Sequence, residues 1–169
     1  MTGPQKIAAA YVGHDGAAGP QLRYWTLAEA QSDPELMKPP VPVVAPLAYA
    51  GRATALSARE KIGKSTLTAV VVALLTHGRA FFDGDAPDAC PVLWYAVDEP
   101  LADAVRRLTR DGAHPARVHV CEERPTPAEV DAKVRQTGAR LVVIDTLSEL
   151  WRGHVKDEKD PGQVAGFLR

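Results

Sequence analysis

The stretch that most constrains the fold of this chain runs from Ala55 to Leu67 and reads A-L-S-A-R-E-K-I-G-K-S-T-L. Within it, Ala58 to Ser65 matches the pattern G-x-x-x-x-G-K-[ST], except that alanine replaces the first glycine. The residues on either side predict a short strand over 54–57 and a buried apolar helix over 67–75. The sequence therefore predicts a strand, a tight loop, and a helix whose first N–H groups point outward.

A loop of this kind holds phosphate groups. Its backbone N–H groups and the helix N-terminus form a concave, positively polarised cradle, and Gly63 lets the backbone approach a phosphate because it has no Cβ. Lys64 is predicted to reach the β- and γ-phosphates, while the Ser65 hydroxyl ligates Mg²⁺ and Thr66 adds a donor near the α-phosphate. Ala58 suits the loop unless a positive φ is required there.

The sequence thus predicts a nucleotide site that takes ATP with Mg²⁺. The alternative is an accidental match on an ordinary helix N-terminus, and the correctly placed strand and helix argue against it. Lys64 is also a predicted catalytic residue, since it reaches the phosphates. The predicted nucleotide-binding residues are Ala58, Arg59, Glu60, Lys61, Ile62, Gly63, Lys64, Ser65 and Thr66.

Composition and charge narrow the class of protein. The 169 residues suffice for one domain with a sizeable core, and the excess of aliphatic over aromatic residues suits a buried parallel sheet. A formal net charge of −1 gives no overall basic footprint for nucleic acid, although a local loop or an assembled ring could still contact DNA. Cys90 and Cys121 have no metal-ligand spacing and are predicted to be free thiols. With no signal peptide and no long apolar run, we expect a cytoplasmic protein without membrane contact.

The chain divides into two regions of different composition. Residues 1–45 form a predicted arm rich in proline, glycine and alanine, with a short helix capped by Thr26 and Glu29. Residues 46–169 form a predicted α/β domain, because strands alternate with helices. After the loop helix, the predicted strands span 92–97, 118–120 and 141–144, and the predicted helices span 101–111 and 127–138.

Acidic residues follow two of these predicted strands. Asp145 ends the apolar run L-V-V-I, and at the carboxyl edge of the sheet it could hold a water of the Mg²⁺ that Ser65 ligates. A carboxylate of Asp98 or Glu99, after the strand over 92–97, could orient and deprotonate an attacking water. Asp145 could instead cap the next segment, and the other two acids could simply open a helix whose dipole favours negative charge. The residues alone do not choose between Asp98 and Glu99 as the base.

Three arginines, Arg106, Arg107 and Arg110, cluster on the helix over 101–111. The simplest interpretation is a solvated helix face. Contact with a phosphate or with a second subunit is the alternative.

Three stretches together resemble the RepA-like branch of RecA-fold ATPases. They are A-R-E-K-I-G-K-S-T-L over 58–67, P-V-L-W-Y-A-V-D-E over 91–99 with R-R-L over 106–108, and R-L-V-V-I-D-T-L over 140–147. The branch contains hexameric replicative helicases of plasmids and many phage and mobile-element proteins. The resemblance covers roughly residues 45 to 169 and implies a RecA-like P-loop NTPase core with a mostly parallel sheet flanked by helices.

The resemblance also implies roles for individual residues. Asp145 is the expected Walker B aspartate and, with Ser65, the expected magnesium site. Asp98 falls on the position of the family's catalytic glutamate, and Glu99 on an acid that often follows it, so Lys64, Asp98 and Glu99 are the expected catalytic residues. The implied activity is hydrolysis of Mg-ATP coupled to DNA unwinding or handling in plasmid- or phage-type replication.

Family cores continue beyond Walker B with a DNA-contacting loop, a sensor strand and further sheet. Here 153–161 would correspond to that loop and 163–168 to the next helix, so we expect a core that is incomplete after the Walker B strand, either a fragment or a short product with weakened activity. Single-stranded DNA is an expected partner, and a homo-oligomeric ring is expected if the full core is present, because family ATP sites lie between subunits. A non-catalytic nucleotide-binding or interaction module and a small-molecule kinase are the other functions that stay open.

Overall fold

The computed structural model describes residues 24–59 and 61–146. The chain falls into two compact units, one that ends at Pro39 and one that begins at Pro40. The described part of the first unit contains helix α1 (Leu27–Ser32). The amide of Glu29 donates to the Thr26 hydroxyl at 3.2 Å, and the amide of Thr26 donates to the Glu29 carboxylate at 2.7 Å, so the predicted capping box is present. The boundary that the sequence places after residue 45 stays a prediction.

The second unit is an α/β structure with two separate sheets. Strands β4, β3 and β5 form a parallel three-stranded sheet in that order, and β1 pairs with β2 in an antiparallel hairpin. The α/β class and the parallel sheet flanked by helices agree with a RecA-like P-loop core, as expected from the sequence. The elements are β1 (Pro42–Val44), β2 (Ala48–Tyr49), α2 (Lys64–Thr76), β3 (Val92–Ala96), α3 (Leu101–Arg110), β4 (Val118–Cys121), α4 (Pro127–Thr137) and β5 (Leu141–Asp145).

Strand β3 lies at the centre of the parallel sheet and is buried on both faces. Val92 and Trp94 belong to the apolar cluster that includes residues of α2 and α3, whereas Leu93 and Tyr95 pack with apolar residues of α4 on the opposite face. A parallel strand covered by helices on both sides requires apolar residues at successive positions, and this explains the uninterrupted run V-L-W-Y-A.

Local signals set the ends of the helices around this sheet. Helix α4 has a second capping box between Thr126 and Glu129, with Pro127 in its first turn, and it ends at Gly138 in the left-handed conformation. At the carboxyl end of α2, the Arg117 guanidinium donates to the Thr76 carbonyl at 2.6 Å and so satisfies one of the last backbone acceptors. No described helix combines the length and the apolar character needed to cross a membrane.

The predicted strand over 54–57 is wrong. Residues 52–59 have no regular secondary structure, and their side chains are exposed. The segment consists largely of alanine and small polar residues, which gain little from packing on a pleated surface. In addition, the Thr54 hydroxyl donates to the Leu47 carbonyl at 2.7 Å, which ties the segment to the turn between β1 and β2.

Replacement of Leu75 by alanine tests the burial of α2 against the sheet. Leu75 is 1% exposed within the apolar cluster on β3. We expect Leu75→Ala to lower the free energy of unfolding by about 2–5 kcal/mol, through lost transfer energy and the cavity that remains. Chemical denaturation followed by circular dichroism measures this change.

Val70→Ala is the matched control on the same helix, because Val70 is 37% exposed. We expect it to change the free energy of unfolding by about 0.5 kcal/mol or less. Equal losses in the two variants would contradict this packing of α2.

Candidate functional site

The parallel pairing of β3 with β5 brings acidic residues to one edge of the sheet. Ala96 is in register with Asp145, so Asp98 and Glu99 leave β3 just beyond the point where β5 ends. Asp98 is exposed, whereas the side chains of Glu99 and Asp145 are only 16% and 15% exposed. The carboxyl ends of parallel strands are where ligands bind in open α/β sheets.

Arg107 of α3 reaches these acids. Its Nη1 donates to Glu99 Oε1 at 2.7 Å, its Nη2 donates to the other oxygen of the same carboxylate, and its Nη1 lies 3.6 Å from Asp145 Oδ2. The hydrogen bonds that Arg107 donates to the Glu99 carboxylate raise the pKa of Arg107 above its ordinary value. The Arg107 side chain is only 20% exposed, so its interpretation as part of a solvated face is wrong.

The other two arginines of the cluster do belong to the exposed surface of α3. Arg106 pairs with Asp103 at 2.7 Å, and Arg110 pairs with Asp111 at the same distance. The different position of Arg107 has a signal in the sequence that our prediction missed. Arg107 lies three residues after Ala104 and one before Leu108, which are the two buried residues of this helix.

Burial and the neighbouring residues have opposing effects on the pKa of Asp145. Burial raises the pKa of its carboxyl group, and the nearby charges of Asp98 and Glu99 raise it further, while a hydrogen bond from Ser65 and the charge of Arg107 lower it. Ser65, the second residue of α2, therefore lies close to Asp145 at the end of β5, although the two residues are far apart in sequence.

A hydroxyl and a carboxylate are suitable oxygen ligands for Mg²⁺, which keeps several of its waters when it binds to proteins. Within residues 24–59 and 61–146, no group of three His, Cys, Asp or Glu side chains could hold a metal ion. Ser65 and Asp145 fit a magnesium ion that takes its remaining ligands from water and phosphate oxygens.

The loop before α2 has the backbone that a phosphate cradle needs. Lys61 has a φ of 60° and Gly63 a φ of 97°, and α2 begins at Lys64 without any side chain capping its N-terminus. Among the described residues, no side chain is hydrogen-bonded to the first N–H groups of this helix, where the backbone can bind a phosphate. Among the described non-glycine residues, only Lys61 and Phe82 take a positive φ, so Ala58 carries no backbone strain.

The Lys64 side chain folds back across this loop. Its ammonium donates to the carbonyls of Ala58 and Arg59, both at 3.0 Å. The Lys64 side chain thus links the start of the loop to the start of α2. Glu60 lies outside the described residues.

A cavity of about 200 Å³ opens at the loop. A larger cavity of about 420 Å³ lies near the carboxyl end of α2, and no predicted site residue lines it. The cavity of about 200 Å³ is the candidate site, because the loop backbone and Lys64 line it. Its lining residues are Leu56, Ser57, Ala58, Ile62, Gly63, Lys64 and Leu67.

Comparison with known proteins identifies a family. A family model described as an AAA domain matches residues 17–169, which is most of the chain. Neither a curated protein nor a solved structure matches the chain.

Replacement of Gly63 by alanine tests the loop backbone. A Cβ at this position would meet no atom within 4 Å, so the cost comes from the φ of 97° alone. We expect Gly63→Ala to lower the free energy of unfolding by roughly 1–2 kcal/mol, because an L side chain is disfavoured at positive φ. Urea denaturation measures the loss.

Gly84→Ala serves as the control, because its φ is not positive and its added Cβ would make only ordinary contacts at 3.5 Å. Its stability should stay within about 0.5 kcal/mol of the parent protein. An unchanged stability in Gly63→Ala would mean that the loop does not hold its left-handed turn in solution.

Proposed function

The chain belongs to the AAA domain family of ATPases, and we propose that it binds Mg-ATP at the loop over 58–66 and hydrolyses it. The observation that carries this proposal is the loop itself, which turns through the left-handed Lys61 and Gly63 into the N-terminus of α2. The loop supplies backbone N–H groups that no described side chain caps, together with a lysine, and the sheet edge supplies carboxylates. These are the two halves of a site for a nucleotide and its metal ion.

Lys64 would contact the phosphates of a bound nucleotide. Its ammonium already spans the loop through the carbonyls of Ala58 and Arg59, and phosphate oxygens would replace those acceptors. Charge-assisted bonds to phosphate are stronger than bonds to neutral carbonyls, so the exchange favours binding. Bound Mg²⁺ would neutralise further phosphate charge, with Ser65 as its ligand and Asp145 holding one of its waters.

Hydrolysis needs a carboxylate close to the γ-phosphate, and Asp98 and Glu99 are the candidates. One of them would take a proton from water as the water oxygen bonds to the γ-phosphorus. The bond between that phosphorus and the β–γ bridging oxygen would break, and ADP would leave with the electron pair. Both acids lie within electrostatic reach of Asp145.

We further propose that this activity is coupled to unwinding or handling of DNA in plasmid- or phage-type replication. The resemblance of three sequence stretches to RepA-like ATPases supports this role. Because the net charge is −1, contact with single-stranded DNA would depend on a local loop or on a ring of several copies. A cytoplasmic location is part of the same proposal.

Thermal melting with and without Mg-ATP tests the site. At about 100 times its dissociation constant, the nucleotide should stabilise the protein by roughly 2.7 kcal/mol. Lys64→Ala should lose this stabilisation, because its loop lacks the cation that meets the phosphates.

Lys133→Ala is the matched control, since Lys133 is a partly exposed lysine on α4 whose ammonium contacts only Gln136, at 3.1 Å, among the described residues. It should respond to Mg-ATP as the parent protein does. A cooperative melt that does not move with Mg-ATP in the parent protein would refute nucleotide binding.

Release of phosphate from ATP, with and without single-stranded DNA, tests the activity. We expect slow release that disappears in Lys64→Ala and rises when DNA is added. Release unchanged in Lys64→Ala would refute the assignment of the activity to this loop. Binding without release above background would instead identify a non-catalytic nucleotide-binding module, and release that requires an added acceptor would identify a kinase.

A further inference from the structure

Three carboxylates and one guanidinium meet at the carboxyl edge of the sheet, and the acids are not equivalent. Both oxygens of Glu99 accept hydrogen bonds from Arg107. Asp98 is exposed, and among the described residues no hydrogen bond or ion pair engages its carboxylate. The two adjacent acids therefore differ in what they are free to contact.

Glu99 is poorly placed to accept a proton from water. A bidentate pair with arginine holds both carboxylate oxygens in fixed positions, because the planar guanidinium presents two parallel donors. Both side chains are mostly buried, so water does not readily replace either partner. To act on water, Glu99 would have to leave a partly buried cation without its closest counter-ion, which is costly.

Arg107 is held by a rigid element. The neighbouring residues Ala104 and Leu108 are buried in the apolar cluster beneath α3. The N-terminus of α3 is held as well, because the amide of Leu101 donates to the Glu122 carboxylate at 3.1 Å. The guanidinium is thus fixed between Glu99, three residues after the end of β3, and Asp145, the last residue of β5.

We propose that Arg107 is a positioning residue that fixes Glu99 and braces Asp145, and that Asp98 is the carboxylate that contacts the attacking water. The inference rests on the proposed ATP hydrolysis and divides the work between the two adjacent acids. In that step Asp98 accepts one proton of the water, whose oxygen bonds to the γ-phosphorus while the bond to the ADP oxygen breaks. Glu99 and Arg107 keep their pairing throughout.

The experiment is a double-mutant cycle in the full chain. The cycle combines Glu99→Gln, Arg107→Gln and the double variant, and Asp98→Asn is measured beside it. Each protein is measured for kcat and KM with Mg-ATP, for the shift of its melting temperature with Mg-ADP, and for its urea midpoint. Arg106→Gln is the control, because Arg106 lies on the exposed side of the same helix and, within the described part of the chain, pairs only with Asp103.

Asp98→Asn should lower kcat by about 100-fold or more, in the range of lost general-base catalysis, with KM and the Mg-ADP shift nearly unchanged. Glu99→Gln and Arg107→Gln should each raise KM and reduce the Mg-ADP shift, and the double variant should be no worse than the more damaging single one. Arg107→Lys should recover only part of the loss, since an ammonium cannot make the bidentate pair. Arg106→Gln should match the parent protein.

Two results would overturn the inference. If Glu99→Gln abolishes turnover while Asp98→Asn keeps most of it, Glu99 is the base. If the losses of Glu99→Gln and Arg107→Gln add, both in the Mg-ADP shift and in the urea midpoint, the two residues do not act as a pair.

Failure of the proposed function is recognised separately. A parent protein that binds Mg-ADP but releases no phosphate refutes hydrolysis and with it the role of Asp98. In that case the Mg-ADP shift and the urea midpoint still decide the pairing of Arg107 with Glu99, because neither measurement depends on turnover.

Discussion

The burial of β3 on both faces is the constraint on which the rest of the domain depends. Val92 and Trp94 close one apolar cluster with α2 and α3, and Leu93 and Tyr95 close the other with α4. Helices α3 and α4, which cover these two faces, are also the crossovers that connect β3 to β4 and β4 to β5, so all three strands run parallel. Parallel strands then end at the same edge, which brings every polar residue that follows a strand to one place.

Such an edge has an electrostatic cost when the residues that follow the strands are acids. Asp98, Glu99 and Asp145 repel one another, and the burial of Asp145 increases the penalty because its charge loses contact with water. Arg107 offsets part of this repulsion by a bidentate pair with Glu99 and by its charge near Asp145. The pair with Arg107 engages Glu99 and leaves Asp98 exposed. The same interaction therefore stabilises this edge of the sheet and underlies the roles proposed for the two acids.

The loop before α2 brings backbone N–H donors and a lysine side chain together. The left-handed conformations at Lys61 and Gly63 turn the chain into the uncapped N-terminus of α2. Lys64 meanwhile finds acceptors within its own loop. Backbone donors of the helix N-terminus and the Lys64 ammonium therefore lie around the same loop, which is the arrangement that the proposed phosphate site requires.

Local patterns in the sequence were sufficient for most elements of this fold and for the loop. The capping boxes at Thr26 and Thr126, the apolar run of β3 and the glycines at helix ends act over a few residues, so they can be identified before the chain is folded. Tertiary structure alone decided the strand order β4-β3-β5 and the pairing of Arg107 with Glu99. These depend on which surfaces meet after the helices pack, and a one-dimensional pattern cannot specify that, because exposure and partner geometry are properties of the folded chain.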